Sequence, residues 1–125
     1  MSEYEPGYCN IGRPQRRRRY AYAATAFGAT VAGVLGVVVG LIPELLLVAA
    51  FVTLALGFEM LIQARTSFCV RLALLGRYDF RGEGEAGRVD EAAARHADQI
   101  YAVKITAASL LLAALSTAIL VLLFG

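Results

Sequence analysis

The stretch RRRRYAYAATAFGATVAGVLGVVVG, residues 16–40, sets a run of arginines directly against a long uncharged segment. The uncharged segment extends over residues 20–43. A helix needs about 20 apolar residues to cross a hydrocarbon core of about 30 Å. The apolar core of a secretory signal peptide has only about 7–15 residues, so this segment is too long for one. The stretch therefore predicts a transmembrane helix with a basic flank.

Two more apolar blocks follow along the chain. Residues 105–125 carry no charge, and residues 41–64 carry only Glu44 and Glu59. These two acids would be about 22 Å apart along a helix. Each can therefore lie near a membrane surface rather than at the bilayer centre, where a carboxylate is costly. A hydrophobic share of 58%, against roughly 45–50% in soluble domains, agrees with burial in lipid.

The sequence thus predicts an all-α integral membrane protein with three transmembrane helices. The predicted segments are a basic tail over residues 1–19, transmembrane helices over residues 20–42, 44–64 and 99–124, and a helix extension with a loop over residues 65–98. All 12 Lys and Arg residues lie in the tail, in the 65–98 segment or at Lys104. Because cytoplasmic segments carry the excess of basic residues, we expect the N-terminus inside and the C-terminus outside the inner (plasma) membrane.

The arginine run is interpreted as the anchor of the first span, because basic residues beside a membrane attract anionic headgroups. Its members are candidate contacts for lipid headgroups or for a partner: Arg16, Arg17, Arg18 and Arg19. A nucleic-acid tail is the weaker interpretation, since the run adjoins the span directly and short basic runs often match such motifs by accident.

Small residues recur every four positions in the first and third spans. Helices in a membrane associate through close packing of small residues, because lipid tails are as apolar as leucine. The candidate packing residues are Gly28, Ala32, Gly36 and Gly40 in the first span, and Ser109, Ala113 and Thr117 in the third. We expect a contact between helices of one chain more than a seam between two copies.

Charged residues near the predicted inner surface offer few candidate sites. Glu59 and Lys104 would lie at a similar depth, so we hypothesise an ion pair between them, or between Glu59 and an arginine of the basic run. The alternative is that each extends separately to the headgroups. His96 precedes the third span and is interpreted as a solvated helix residue rather than a ligand of haem or another pigment, since no partner ligand accompanies it.

The segment NIGRPQRRRR resembles the opening of the YgaP-like transmembrane domain family. Members of that family begin with Asn-x-Gly, followed by a basic residue four positions after the Gly and another three positions later. The corresponding residues here are Asn10, Gly12, Arg16 and Arg19. The family usually has Asp before the first Arg, where this chain has Gln15.

The segment CVRLALLG resembles the end of the second helix in the same family. Cys69 and Gly76 have the family's spacing, with Val70 in place of the usual Pro. The resemblance covers about residues 9–80 and implies a helical hairpin with both ends inside. Some members carry a fused rhodanese domain, which handles sulfane sulfur, and this sequence has no strand-to-helix loop of the rhodanese kind. The resemblance implies no defined activity.

The two cysteines, Cys9 and Cys69, both lie on the predicted reducing side, so we expect no structural disulfide. Each has arginines nearby in sequence, and nearby positive charge favours the reactive thiolate. A redox or persulfide-relay pair is therefore one interpretation. The other is two inert thiols that behave as small hydrophobic groups.

The sequence shows no catalytic constellation, metal-ligand cluster or cofactor motif. We therefore expect no enzyme activity, no cofactor and no nucleic-acid partner. The leading prediction is a small interaction or accessory subunit of a larger membrane complex, in contact with anionic lipids and with other subunits or copies of itself. The alternatives are a thiol-dependent sulfur or redox module and an oligomeric channel for a small solute.

Overall fold

The computed structural model describes Tyr4, residues 6–7, residues 9–80 and residues 86–125. The part described is mostly helical. Its elements in chain order are α1 (Arg13–Val38), a 3₁₀ segment (Glu44–Ala49), α2 (Ala50–Thr66), α3 (Val70–Leu74), β1 (Arg77–Asp79), β2 (Ala86–Arg88) and α4 (Ala92–Phe124). The start of α1, the end of α2 and the start of α4 meet at one end of the bundle, called the basic end below.

Within the described residues, three helices are long and apolar enough to cross a membrane: Arg13–Val38, Glu44–Thr66 and Ala92–Phe124. This confirms the prediction of a mostly helical chain with three candidate spans. With 33 residues, α4 is about 50 Å long, which exceeds a hydrocarbon core of about 30 Å. Its polar first turns therefore extend beyond any membrane that its apolar part crosses.

The helix α2 packs between α1 and α4. On the α1 side, the hydroxyl groups of Thr30 and Thr53 are 2.6 Å apart and hydrogen-bonded. The rings of Phe27 and Phe58 meet edge to face, with centroids 5.2 Å apart. Gly57 makes this approach possible, because a β-carbon there would lie 2.7 Å from the Phe27 ring.

The predicted small residues of the third span lie on the buried face of α4. Ser109 and Ala113 are almost completely buried, and Thr117 is 9% exposed. They continue the line of buried residues that runs along the helix: Ala94, Asp98, Ala102, Ile105, Ser109, Ala113 and Thr117. The four-residue spacing therefore marks the side of α4 that faces the rest of the chain.

The small residues of the first span lie elsewhere than expected. Gly28 and Ala32 are exposed, and a β-carbon at Gly28 would meet nothing within 4 Å. Gly36 packs against Ile42 of the following turn, and Gly40 lies in that turn with φ +85°. The expected contact of this stripe with another helix of the chain is thus not present. The α1 residues that are buried are Ala23, Thr30 and Val37, because the Thr30–Thr53 bond and the Phe27 contact turn that side toward α2.

Several predicted boundaries also differ. The first helix begins at Arg13 with Pro14 in its first turn, a position that suits proline because its missing N–H would be unpaired there anyway. The second span opens with the 3₁₀ segment. The helix that contains the third predicted span begins at Ala92, so it also includes residues before 99. A short antiparallel pair, β1 with β2, was not part of the all-α prediction. Residues 81–85 of the predicted loop lie outside the described residues.

We expect the substitution Gly57→Ala to destabilise the packing of α1 on α2. The added methyl group would overlap the Phe27 ring, and overpacking of this kind costs about 1–3 kcal/mol. Thermal unfolding of the purified protein in mild detergent measures the effect. Gly33→Ala is the matched control, since a β-carbon at Gly33 meets nothing within 4 Å. Equal melting temperatures for the two variants would contradict the close approach of Phe27.

Candidate functional site

At the basic end, the segments that connect the helices are held together by buried polar side chains. The backbone around Asn10 passes between the turn after α2 and the strand β1. Ile11 and Asp79 form a parallel bridge there. The side chains involved, called the polar cluster below, are Asn10, Gln15, Arg16, Arg19, Gln63, Cys69 and Asp79.

Asn10 lies at the centre of the polar cluster and is completely buried. Its side chain bonds both backbone groups of one residue: Nδ2 donates to the Cys69 carbonyl (3.1 Å), and the Cys69 N–H donates to Oδ1 (2.6 Å). Its backbone N–H donates to the Ser67 carbonyl, and its carbonyl accepts from the Asp79 N–H. The side-chain amide of Asn10 therefore bonds the backbone of Cys69 as a neighbouring strand would. Buried backbone N–H and carbonyl groups need hydrogen-bond partners of this kind.

The turn after α2 directs Cys69 toward Asn10. Ser67 has φ +55°, the left-handed conformation that commonly ends helices. The Phe68 N–H then bonds back to the Gln63 carbonyl (3.0 Å). Phe68 enters the core and lies 4.7 Å, between ring centroids, from Tyr101 of α4. The turn thus places Phe68 in the core and orients the backbone of Cys69 toward the Asn10 side chain.

Two members of the predicted arginine anchor point into the protein. Arg16 Nε donates to the Ala64 carbonyl in the last turn of α2 (2.9 Å), where helices have unpaired carbonyls and favour positive charge. Arg19 Nη2 lies 2.8 Å from the Cys69 sulfur. Arg17 and Arg18, in contrast, are exposed. The run of arginines therefore divides into an inner pair and an outer pair.

Arg19 also begins a chain of hydrogen bonds across the three long helices. Its Nε donates to Gln63 Oε1 (3.2 Å), and Gln63 Nε2 donates to Glu59 Oε1 (2.9 Å). Thr106 Oγ1 of α4 donates to the same Glu59 oxygen (3.1 Å). Glu59 therefore has these two partners instead of the expected Lys104, which is exposed. The sequence interpretation overlooked Gln63, although an amide four residues after Glu59 within an apolar helix was a usable signal.

A second buried acid fastens the N-terminal segment to α4. Asp98 is completely buried and accepts from the Tyr4 hydroxyl (2.5 Å) and from the Gly7 N–H (2.7 Å). Burial raises the pKa of Tyr4 above its ordinary value, and the hydrogen bond to Asp98 raises it further. The sequence interpretation missed this pair because the two residues are far apart in the chain. His96, on the same helix, is exposed.

The two cysteines form no disulfide and are buried, with Cys9 1% and Cys69 2% exposed. Cys69 meets a charged donor, since Arg19 contacts its sulfur. Among the residues that the structure describes, no group of three or more His, Cys, Asp and Glu side chains is placed to hold a metal ion. The chemistry available at the polar cluster is thus hydrogen bonding and one thiol beside a guanidinium group.

Compared with known proteins, the chain matches no protein-family model, and no curated protein or solved structure matches it significantly. The resemblance to the YgaP-like transmembrane domain family therefore stays a prediction. The structure nevertheless brings the residues that carry it to one place. Asn10 and Cys69 bond each other, and Arg16 and Arg19 bond the end of α2 and the Cys69 sulfur.

We expect Asn10→Ala to loosen the turn after α2. It leaves the buried Cys69 N–H without a partner, at a cost of about 1–3 kcal/mol, and it leaves the Cys69 carbonyl with the Ala73 N–H as its donor. The reaction rate of Cys69 with a thiol reagent, measured in a Cys9→Ser background, should rise together with the loss of thermal stability. Gln99→Ala, at an exposed position of α4, is the control. An unchanged labelling rate in Asn10→Ala would contradict the role given to Asn10.

The Tyr4–Asp98 bond predicts a pH dependence of stability. Because the folded state holds the Tyr4 proton to higher pH than the unfolded chain does, the contribution is complete below pH 10.0, the ordinary pKa of tyrosine, and declines as pH rises above it. The unfolding free energies of the wild type and of Tyr4→Phe should therefore differ by about 1–3 kcal/mol below pH 10. The difference should shrink in more alkaline buffer, and a constant difference would contradict this account.

Proposed function

We propose that this chain is a small multi-pass protein of the inner (plasma) membrane that acts as an interaction or accessory subunit of a larger membrane complex. In this proposal the basic end faces the cytoplasm, in accord with the positive-inside rule, and the C-terminus of α4 lies outside. The observation that carries the proposal is the exposed face of small residues on α1.

That face lies within the apolar part of α1 and is not covered by the residues that the structure describes. Thr25, Gly28 and Ala32 are all exposed, and they recur at the three- and four-residue spacing of one helix side. Lipid tails gain little from such a surface, whereas a second helix can approach it closely. The face therefore favours contact with a helix of another subunit.

The buried polar groups also support a structural role. Asn10, Asp98 and Glu59 are the kinds of residue from which sites are built, but each holds segments of the fold together. A reaction site needs groups whose hydrogen-bonding capacity is open to a substrate. The side chains of the polar cluster are engaged with backbone and with one another, which favours a scaffold over an enzyme.

A thiol-dependent sulfur or redox module is the second candidate, and the contact between Arg19 and the Cys69 sulfur is the observation that favours it. The burial of both thiols speaks against it, because reactive cysteines are usually partly accessible. Replacing both with serine separates the two candidates. The accessory-subunit proposal predicts that the double variant assembles normally and supports the same growth as the wild type.

The assembly proposal predicts that Gly28→Leu combined with Ala32→Leu releases the chain from its complex. The bulky side chains would block approach of a partner helix while leaving the bundle of this chain intact. Extraction from native membranes in mild detergent, a native gel and mass spectrometry of the band measure the assembly. Ala114→Leu, at an exposed position of α4, is the matched control.

The wild type and the Ala114→Leu variant should migrate with a defined set of other proteins, and the double variant should migrate alone. If the wild-type band contains this chain only and the double variant reduces its size, the face joins copies of the chain rather than different subunits. A double variant that assembles like the wild type would refute the role of the α1 face.

A further inference from the structure

A cavity of about 430 Å³ opens at the basic end between the start of α1, the short helix α3 and the strand β1. It lies on the outer side of the polar cluster. Its lining is rich in arginine and also contains apolar side chains. The lining residues from which the argument proceeds are Arg18, Arg19, Arg71, Arg77, Leu72 and Leu75.

Among the residues that the structure describes, the lining of this cavity is positively charged, because it has four arginines and one acidic residue, Asp79. Asp79 Oδ2 accepts from Gln15 (3.1 Å), so its charge is partly engaged. Arg19 is engaged with the polar cluster, whereas the described part of the chain supplies no hydrogen-bond partner for the guanidinium groups of the other three arginines. Like charges that line one cavity repel each other, and an anion bound among them would offset this repulsion.

The chemistry of the arginines points to a phosphate group. The guanidinium group is planar and always charged, and its fork of N–H donors matches two phosphate oxygens at once. Arg18 comes from α1, Arg71 from α3 and Arg77 from β1. Donors from three separate elements therefore converge on one volume, as the several oxygens of a phosphate require.

The apolar part of the lining indicates what the phosphate is attached to. Leu72 and Leu75 line the same cavity, and Leu75 is 64% exposed. Tyr20 and Tyr22, which follow the arginines along α1, are exposed and mark the level of a membrane interface, where tyrosine is favoured. A ligand here would meet charge on one side and apolar surface on the other, which fits a phospholipid better than a soluble phosphate.

We propose that this arginine pocket binds the phosphate headgroup of an anionic phospholipid. The proposal rests on the membrane location of the proposed function and adds to it a defined lipid site. It differs from the general attraction of a basic surface for a membrane, because it assigns binding to Arg18, Arg71 and Arg77. Other exposed basic residues, such as Arg17 and Arg65, should contribute little.

The test compares two triple variants that remove the same charge. The pocket variant is Arg18→Gln, Arg71→Gln and Arg77→Gln, and the control variant is Arg17→Gln, Arg65→Gln and Lys104→Gln. Each protein is reconstituted in phosphatidylcholine nanodiscs with and without phosphatidylglycerol, released, and examined by native mass spectrometry for bound phosphatidylglycerol. Because the three pocket side chains have no partner among the described residues, we expect the pocket variant to fold. The single variant Arg71→Gln provides a milder second test.

The wild type and the control variant should retain phosphatidylglycerol, and the pocket variant should retain it at least about tenfold more weakly. Arg71→Gln should show an intermediate loss. Equal losses in the two triple variants would overturn the proposal, since the attraction would then be spread over the basic surface. Binding of inorganic phosphate to the wild type in phosphatidylcholine alone, with displacement of phosphatidylglycerol, would also overturn it in favour of a soluble ligand.

Flotation with phosphatidylcholine vesicles separates failure of the lipid site from failure of the membrane proposal. All variants should float with the vesicles, because the apolar spans are unchanged. A wild type that does not float would refute the membrane location and the lipid site together. Flotation of every variant, combined with loss of phosphatidylglycerol from the pocket variant alone, would support both proposals.

Discussion

The hydrogen bonds between Asn10 and the backbone of Cys69 are the constraint on which the basic end depends. The buried Asn10 side chain pairs the N–H of Cys69, the residue that caps α3, and donates a second bond to the Cys69 carbonyl, which also accepts from the Ala73 N–H. The backbone of Asn10 also forms hydrogen bonds with Ser67 and Asp79. Because an unpaired buried amide group is costly, the segment before α1, the turn after α2 and the strand β1 can take up this arrangement only together.

This arrangement suits a protein whose helices are covered by lipid. Between apolar helices in a membrane there is little hydrophobic driving force, so packing and hydrogen bonds must define how they associate. The hydrogen bonds from Arg19 through Gln63 and Glu59 to Thr106 connect all three long helices. The polar cluster thereby sets the relative position of the helices at one end, while Gly57 and the Thr30–Thr53 bond set it further along.

The three spans followed from the sequence because their length and apolar content are local properties of the chain. The buried face of α4 also followed, since Ser109, Ala113 and Thr117 repeat on one side. The partner of the small-residue stripe on α1 could not be predicted from the sequence. Small residues permit close contact with a helix but do not specify which helix makes that contact. The Tyr4–Asp98 pair and the Glu59–Thr106 bond depend on segments far apart in sequence. No local pattern predicts such pairs. Asn10 was singled out only through a family resemblance, and Cys69 through that resemblance and as a thiol with arginines nearby in sequence.

If the polar residues at the basic end form one hydrogen-bonded unit with the helices, their backbone amides should exchange slowly with solvent. Hydrogen–deuterium exchange of the protein in nanodiscs measures this, because exchange reports whether an amide stays bonded. The amides of Asn10, Cys69 and Asp79 should exchange as slowly as those in the middle of α2. If they exchange as fast as the exposed segment at Asp90, the polar cluster does not hold the basic end together.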